Sequence, residues 1–415
     1  MKINFSALSD VGQKRKHNED SYLANPRLGL FIIADGMGGH NAGEVASQMA
    51  VDIFSAEVHK HEKLLESYKH GPTGGLKRQI LDMMEEAVNT ACTNIFQTAE
   101  REQARKGMGT TLSALLLAGQ SGFIAHAGDS RVYLIRDGKT HHLTEDHTLV
   151  QEQIKRGLLS QEEAVNFPYR NVVTRGVGLL SRIPVDTMHF EVVAGDRFLL
   201  CSDGLYDYFS DEEMAAMFEQ PNLESLIRRL VELANERGGK DNLTGITVEV
   251  PELELTPGQI EVNRKVEALR KISLFERLNY PELVKALNIA QLVRYAEGDT
   301  IIREGEEGEC MYILLSGRVE VLANDLVFKV LEKGGHFGEM SLIDKDVRSA
   351  TVRAAENCDL LVIHRTDFFH LLNQEPHLAI KILLSFVNSL SGRLRETTAA
   401  FLDSRRRIGD IAISC

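Results

Sequence analysis

The chain has 415 residues, 43% of them hydrophobic and 26% charged, an ordinary balance for a globular protein, and its length predicts two or three domains. A net charge of -13 argues against binding nucleic acid through the phosphate backbone, and no apolar run is long enough to span a membrane. The N-terminal MKINFSALSDVG has no hydrophobic signal core, and Cys92, Cys201, Cys310, Cys358 and Cys415 are odd in number without metal spacing, so the thiols read as reduced and the chain as cytoplasmic.

Residues 1–250 alternate strand-like runs with helix-like stretches. Three apolar runs end in an aspartate beside a glycine: FIIADG at 31–36, FIAHAGDS at 123–130 and FLLCSDG at 198–204. Each reads as a buried strand, and the glycine lets the backbone turn and a ligand come close. Asp241, in GGKDNLTGITVEV, stands just before a fourth strand-like run. One such aspartate alone is a turn or a cap. Four of them, far apart in sequence, are what a hard cation such as Mg²⁺ or Mn²⁺ requires. Apolar spacing predicts helices over 76–101 and 212–235, while the polar 59–75 predicts a mobile crossover.

A break follows at Pro251, where PELELTPG reads as a linker, and 259–272 predicts a charged connector helix. Beyond residue 274 glycines separate short β runs such as MYILLSG and VEVL, the pattern of an all-β roll. From residue 367 an amphipathic helix is expected, with Ile380, Leu383, Leu384, Val387, Leu390 and Leu394 on one apolar stripe, followed by a loose tail over 402–415. The boundaries read 1–250, 251–271, 272–400 and 401–415.

Taken with SDVGQKRKHNEDSY, GMGTTL, AHAGDSRVYL, TEDHTLV, VVTRGVG and LLCSDGLYD, the first part resembles the metal-dependent PPM (type 2C) protein serine/threonine phosphatases, most of all their bacterial branch. The resemblance implies an α+β fold, an α-β-β-α sandwich with metals in the cleft between two sheets. It implies that Asp35 bridges two Mn²⁺ or Mg²⁺ ions and that the Gly36 carbonyl helps hold one. Asp203 and Asp241 complete the other, and Asp129 with Asp203 matches a third, weaker site. Asp20, with Glu19, matches acids that hold metal-bound water, and Arg15 the phosphate-binding arginine. The implied reaction is hydrolysis of phosphoprotein monoesters by a two-metal-activated water, so Arg15, Asp35, Asp203 and Asp241 are the catalytic candidates. No cysteine is followed at the sixth position by arginine, so a cysteine-nucleophile phosphatase loop is absent. Met37 stands where some members carry a histidine; His40 reads as structural rather than as a general acid, and so do His126 and His147. Residues 151–182 match a variable flap beside the cleft.

Farther on, EGDTIIREGEEGECMYILLSGRVEVL and GGHFGEMSLIDKDVRSATVRA resemble cyclic nucleotide-binding domains over about 272–400. The resemblance implies a β-roll with flanking helices, Gly338 and Glu339 on the ribose side, Met340 at a helix N-terminus, and Arg348 with Ser349 on the cyclic phosphate. Val347 replaces a frequent proline, and Asp344 and Asp346 bring negative charge near that site. Thr397 and Thr398 match hydroxyls that contact adenine across a helix dimer, which favours cAMP over cGMP and suggests a homodimer through the C-terminal helix. The expected protein is therefore a phosphatase regulated by a cyclic nucleotide. The alternatives are a phosphatase whose β-roll is a ligand-free dimerisation or docking module, and an inactive phosphatase-like scaffold.

Overall fold

The computed structural model describes residues 1–38, 42–164, 167–253, 268–269, 272, 274–323, 326–343 and 347–413. The chain divides into two compact units, Met1–Thr256 and Pro257–Cys415. The first contributes strands β1 (Asn4–Asp10), β2 (Asp20–Asn25), β3 (Leu30–Met37), β4 (Gly109–Thr110), β5 (Leu112–Ala118), β6 (Ser121–Ala127), β7 (Arg131–Arg136), β8 (Lys139–His142), β9 (Asp186–Glu191), β10 (Asp196–Cys201) and β11 (Leu243–Val250). They form two antiparallel sheets, β1-β11-β10-β7-β8 and β2-β3-β5-β6-β9, with β4 beside β3.

The two-residue period of a strand explains the layering. Leu30, Ile32 and Ala34 of β3 belong to the core shared with helices α1 (Gly43–Lys60) and α3 (Gly74–Arg101). Phe31, Ile33 and Asp35 therefore face the other way. Phe31 meets Phe5 of β1 at 5.9 Å between ring centroids, and Phe190 of β9 meets Phe198 of β10 at 5.9 Å, so these rings join the two sheets. On the outside of the first sheet lies α8 (Leu223–Glu236), whose Leu226 and Leu230 pack with Leu199 and Leu243. The result is the α-β-β-α sandwich, with Asp35 on an inner face.

Three expectations are corrected. Residues 59–75 are largely helix: α2 (Glu62–His70) turns Leu65 and Tyr68 into the core, and the Tyr68 hydroxyl lies 2.8 Å from Ser121 Oγ. The expected helix over 212–235 is two, α7 (Asp211–Met217) and α8, separated near Pro221 and capped by Ser210 and Asn222. Within the flap lie α4 (Leu149–Lys155), capped by Thr148, α5 (Gln161–Ala164) and a bridge from Thr148 to Val173. The third correction concerns the tail, below.

In the second unit, α9 (Tyr280–Asn288) starts at a capping box of Asn279 and Glu282. Strands β12 (Ala290–Tyr295), β13 (Thr300–Ile302), β14 (Cys310–Ser316), β15 (Val319–Ala323), β16 (Leu326–Leu331), β17 (His336–Phe337), β18 (Thr351–Ala354) and β19 (Cys358–His364) form sheets β12-β19-β14-β17 and β13-β18-β15-β16, a β-roll. Helix α10 (Arg365–Gln374) stops before Pro376, which opens α11 (Pro376–Ile413). Backbone over 402–413, expected to be loose, is the end of this helix. Of the connector 259–272 only 268, 269 and 272 are described, and all three are buried with Leu283, Met311 and Ile382; the rest lies outside the described residues. Among the described residues no helix is long and apolar enough to cross a membrane.

Candidate active site

Strand ends bring the predicted aspartates together. Antiparallel register sets Asp20 of β2 opposite Asp35 of β3. Asp203 is the first residue of α6 (Asp203–Tyr206), one residue after Ser202 and two after the end of β10. Asp241 precedes β11 by two residues, and Asp129 follows β6 by two. Burial pushes the Asp35 carboxyl well above its ordinary range, and the charges of Asp20, Asp203, Asp129 and Asp241 push it further. Asp20 is raised to about 7, chiefly by burial. Asp129 is raised to about 8 and Asp203 to about 6, again by burial first, then by Asp203 and by Asp241 respectively. Four buried carboxylates thus crowd together beside the more exposed Asp241 and repel one another.

Two oxygens in this space, Asp20 Oδ1 and Asp203 Oδ1, are buried without a hydrogen-bond partner. Buried polar atoms are almost always paired, so such orphans mark a place for a further group. The donors are all oxygen, which suits Mg²⁺ or Mn²⁺. Among the described residues no three acidic, His or Cys side chains already converge as a finished ion shell. The fit therefore lies in donor type, crowding and orphaned oxygens. Gly36 completes it: a Cβ there would lie 2.2 Å from the Gly43 carbonyl and 2.5 Å from that of Glu19.

The backbone around the cluster is pinned by side chains that sequence patterns do not single out. Asp35 N–H donates to Thr111 Oγ1 (2.8 Å), and the Asp35 carbonyl accepts from Thr110 Oγ1 (2.8 Å) and Thr111 N–H (2.9 Å). Ser202 Oγ donates to Asp20 Oδ2 at 2.8 Å. Asn242 accepts from Glu19 N–H and donates to the Val11 and His17 carbonyls, tying the N-terminal loop to Asp241. The only sequence signal for Ser202 and Asn242 is adjacency to a flagged aspartate. Arg15 bonds to Asp241, Nη2 to Oδ2 at 2.6 Å, with its side chain 49% exposed. His126 and His147 stack at 4.7 Å and are buried. His40 lies outside the described residues.

In the second unit, Gly338 adopts φ 75° and caps the short helix Glu339–Leu342. Arg348 is buried at 7% exposure and donates to the Cys310 carbonyl (2.8 Å), Ser341 Oγ (2.8 Å) and the Gly338 carbonyl (3.3 Å). Every one of these acceptors is neutral. Gly308 and Gly338 leave the room it needs, since a Cβ would lie 2.1 Å from Arg348 Nε and 2.5 Å from Nη1 respectively. Ser341 and Cys310 were not legible as partners in the sequence. Met340, Val347 and Ser349 are exposed. Thr398 is exposed on α11, and among the described residues no hydrogen bond joins it to this group; the Thr397 side chain, Asp344 and Asp346 lie outside the described set.

Residues 12–246 match the family model for protein phosphatase 2C, and residues 292–375 that for the cyclic nucleotide-binding domain. The serine/threonine protein phosphatase PstP of Mycobacterium tuberculosis is 40% identical over 248 residues, 60% of this chain and 45% of that protein. The chain thus spans less than half the length of this curated relative. A crystal structure of the M. tuberculosis phosphatase PstP/Ppp superposes with a TM-score of 0.54 at 37% identity, covering 60% of this chain and 99% of that one. A crystal structure of the PstP catalytic domain in complex with two manganese ions gives 0.51 at 37% identity, again over 60% and 99%.

Proposed function

Since the chain belongs to the protein phosphatase 2C family, we propose that it hydrolyses phosphoserine and phosphothreonine monoesters of proteins with the help of divalent cations. Residues 1–250 are the catalytic domain in this reading, and the four free thiols among the described residues of the whole chain fit a cytoplasmic setting. Asp35, the Gly36 carbonyl, Asp203 and Asp241 would hold two ions, and Asp129 with Asp203 a third. The PstP catalytic domain crystallised with two manganese ions, which supports Mn²⁺. Bound there, Mn²⁺ or Mg²⁺ supplies Lewis acidity toward the phosphoryl oxygens and the attacking water. Asp20 Oδ1, buried without a partner, is open to a hydrogen bond from a water in the cleft. Arg15, half exposed at Asp241, offers a fork to the dianionic phosphate.

The observation that carries the reading is the pair of partnerless oxygens on Asp20 and Asp203 amid five crowded carboxylates. The test is hydrolysis of a phosphothreonine peptide. Excess chelator is expected to abolish it, added Mn²⁺ to restore it, and Asp203→Asn to remove it even with metal. Wild-type rates in chelator would refute metal dependence. No hydrolysis with either metal would favour the scaffold alternative.

The second domain is proposed to take a cyclic nucleotide that adjusts the phosphatase rate. Among the described residues the acceptors of the buried Arg348 guanidinium are neutral, and a cyclic phosphate would bring it an opposite charge. Glu339 is then the acceptor for a ribose hydroxyl. The preference for cAMP over cGMP rests on Thr397 and Thr398 through resemblance alone.

A homodimer through α11 is proposed on two stripes of that helix. Leu378, Ile382 and Phe386 pack into the core of the domain. Ile380, Leu383, Leu384, Val387, Leu390 and Leu394 are 37–69% exposed. At roughly 100° per residue the second stripe centres about 130° around the helix from the first, so the packed face does not cover it. Ile380, Val387 and Leu394 recur every seven residues, with Leu383 and Leu390 between them. β-Branched Ile380 and Val387 at one heptad position, with Leu383 and Leu390 at the other, favour a parallel pair of identical helices.

A further inference from the structure

We propose that His147 is a positioning residue that locks the Asp129 loop to the flap segment beside the cleft, and that the weakest of the proposed ions is held only as firmly as this lock allows. The inference rests on the metal reading above.

Residues 128–130 have nearly every backbone carbonyl held by a side chain or by His147. The Asp129 carbonyl accepts from the Tyr206 hydroxyl at 3.0 Å, and that of Ser130 from Ser113 Oγ at 2.7 Å. Gly128, at φ 112°, packs so tightly that a Cβ would lie 2.6 Å from Thr111 Cβ. Thr111 is the residue that pins Asp35. These contacts tie the loop to the catalytic sheets.

His147 adds a tie of another kind. Its N–H donates to the Gly128 carbonyl at 2.8 Å, and the Gly128 N–H donates back to Nδ1 at 3.1 Å. On the other side, the Thr174 N–H donates to the His147 carbonyl at 2.7 Å. Because Nδ1 accepts, the ring hydrogen of the neutral imidazole sits on Nε2, which points at Asp186 Oδ2 3.1 Å away, with Arg175 Nη1 also 3.2 Å from that nitrogen. Arg175, next to Thr174, donates to the other oxygen, Asp186 Oδ1, at 2.9 Å. One residue therefore joins three segments: its main chain holds the Gly128 carbonyl and the Thr174 N–H, and its ring, 4% exposed, holds the Gly128 N–H and faces Asp186 of β9. A partner of this sort, behind the ligand rather than on the ion, sets where the ligand stands.

The two ring nitrogens can be separated by substitution. His147→Asn keeps an acceptor near the place of Nδ1 and loses the reach to Asp186. His147→Gln keeps a donor near the place of Nε2 and loses the ring acceptor for the Gly128 N–H. His147→Leu loses both. The measurement is calorimetric titration of the full chain with Mn²⁺, together with hydrogen exchange at the Gly128 amide in the metal-free protein. His147→Asn is expected to bind the weakest ion within about threefold of wild type, and His147→Gln and His147→Leu about 10- to 100-fold more weakly. The tighter ions are expected to be unchanged, and Gly128 exchange faster only in the latter two. Equal affinity of the Asn and Gln variants overturns the proposal, even where His147→Leu does not fold. So does a wild type that binds two ions and no third. A wild type that binds no Mn²⁺ overturns the metal reading itself.

Discussion

Asp203 and His126 are both buried titratable groups near the cleft, and burial moves them in opposite directions. Burial favours the neutral form, so it raises a carboxyl and lowers an imidazole. His126 is lowered from 6.5 to about 4, by burial first and by His147 second, with Nδ1 2.8 Å from Ser113 Oγ and Nε2 3.0 Å from the Glu145 carbonyl. Between those two values the unfolded chain binds more protons than the folded one. Stability from this group is therefore complete above about 6.5 and is lost as the pH falls toward about 4. The full loss is on the order of 3 kcal/mol. His126→Gln should flatten this dependence, read by calorimetry as the gap between wild-type and variant unfolding at pH values above and below that window. An equal slope in both proteins would show that His126 is not buried neutral. Asp35, Asp203 and Asp241 were legible because an acid at a strand end is an uncommon pattern. Ser202, Asn242 and His147 were not, since a hydroxyl, an amide or an imidazole in a loop acquires a role only from what it reaches.

Helix α2 was misread for a physical reason. Its composition is that of a solvated loop, and only Leu65 and Tyr68 are fully buried, with Leu64 partly buried against the same core. Two anchors three residues apart suffice when a core waits beneath them, and tertiary packing supplies most helix stability. Leu65→Ala should cost about 2–5 kcal/mol and Tyr68→Phe about 1 kcal/mol of unfolding free energy. A mobile crossover would show neither loss. The long helix α11 was legible as an amphipathic stripe, yet the sequence did not say which stripe packs inward. Val387→Asp places a charge at the centre of the exposed stripe and should convert a dimer to a monomer in sedimentation, with the β-roll still folded. A wild type that sediments as a monomer would remove the dimer reading.

Two units on one chain raise the question of energetic coupling. If a cyclic nucleotide changes the phosphatase equilibrium between two states, occupancy of the catalytic cleft must change nucleotide affinity by the same factor, typically about 5- to 150-fold. The measurement is cAMP affinity of the full chain with and without Mn²⁺ and a phosphate analogue. Reciprocal shifts are expected, and Arg348→Ala should abolish both nucleotide binding and its effect on rate. Insensitivity of each site to the other would mean that the units are merely tethered.

The sandwich class of the first unit came through family resemblance; by itself the sequence showed its alternating strand-like and helix-like runs, the all-β texture beyond residue 274 and the aspartates at strand ends. Those depend on local period, on turn chemistry and on residue types at strand ends, all of which are written along the chain. Tertiary structure decided which partners complete those groups: Arg15 on Asp241, Arg348 on three neutral oxygens, and His147 between Gly128 and Asp186. Their partners lie from 7 to 226 positions away along the chain, and a hydrogen bond requires a distance and an angle that only the packed fold can set.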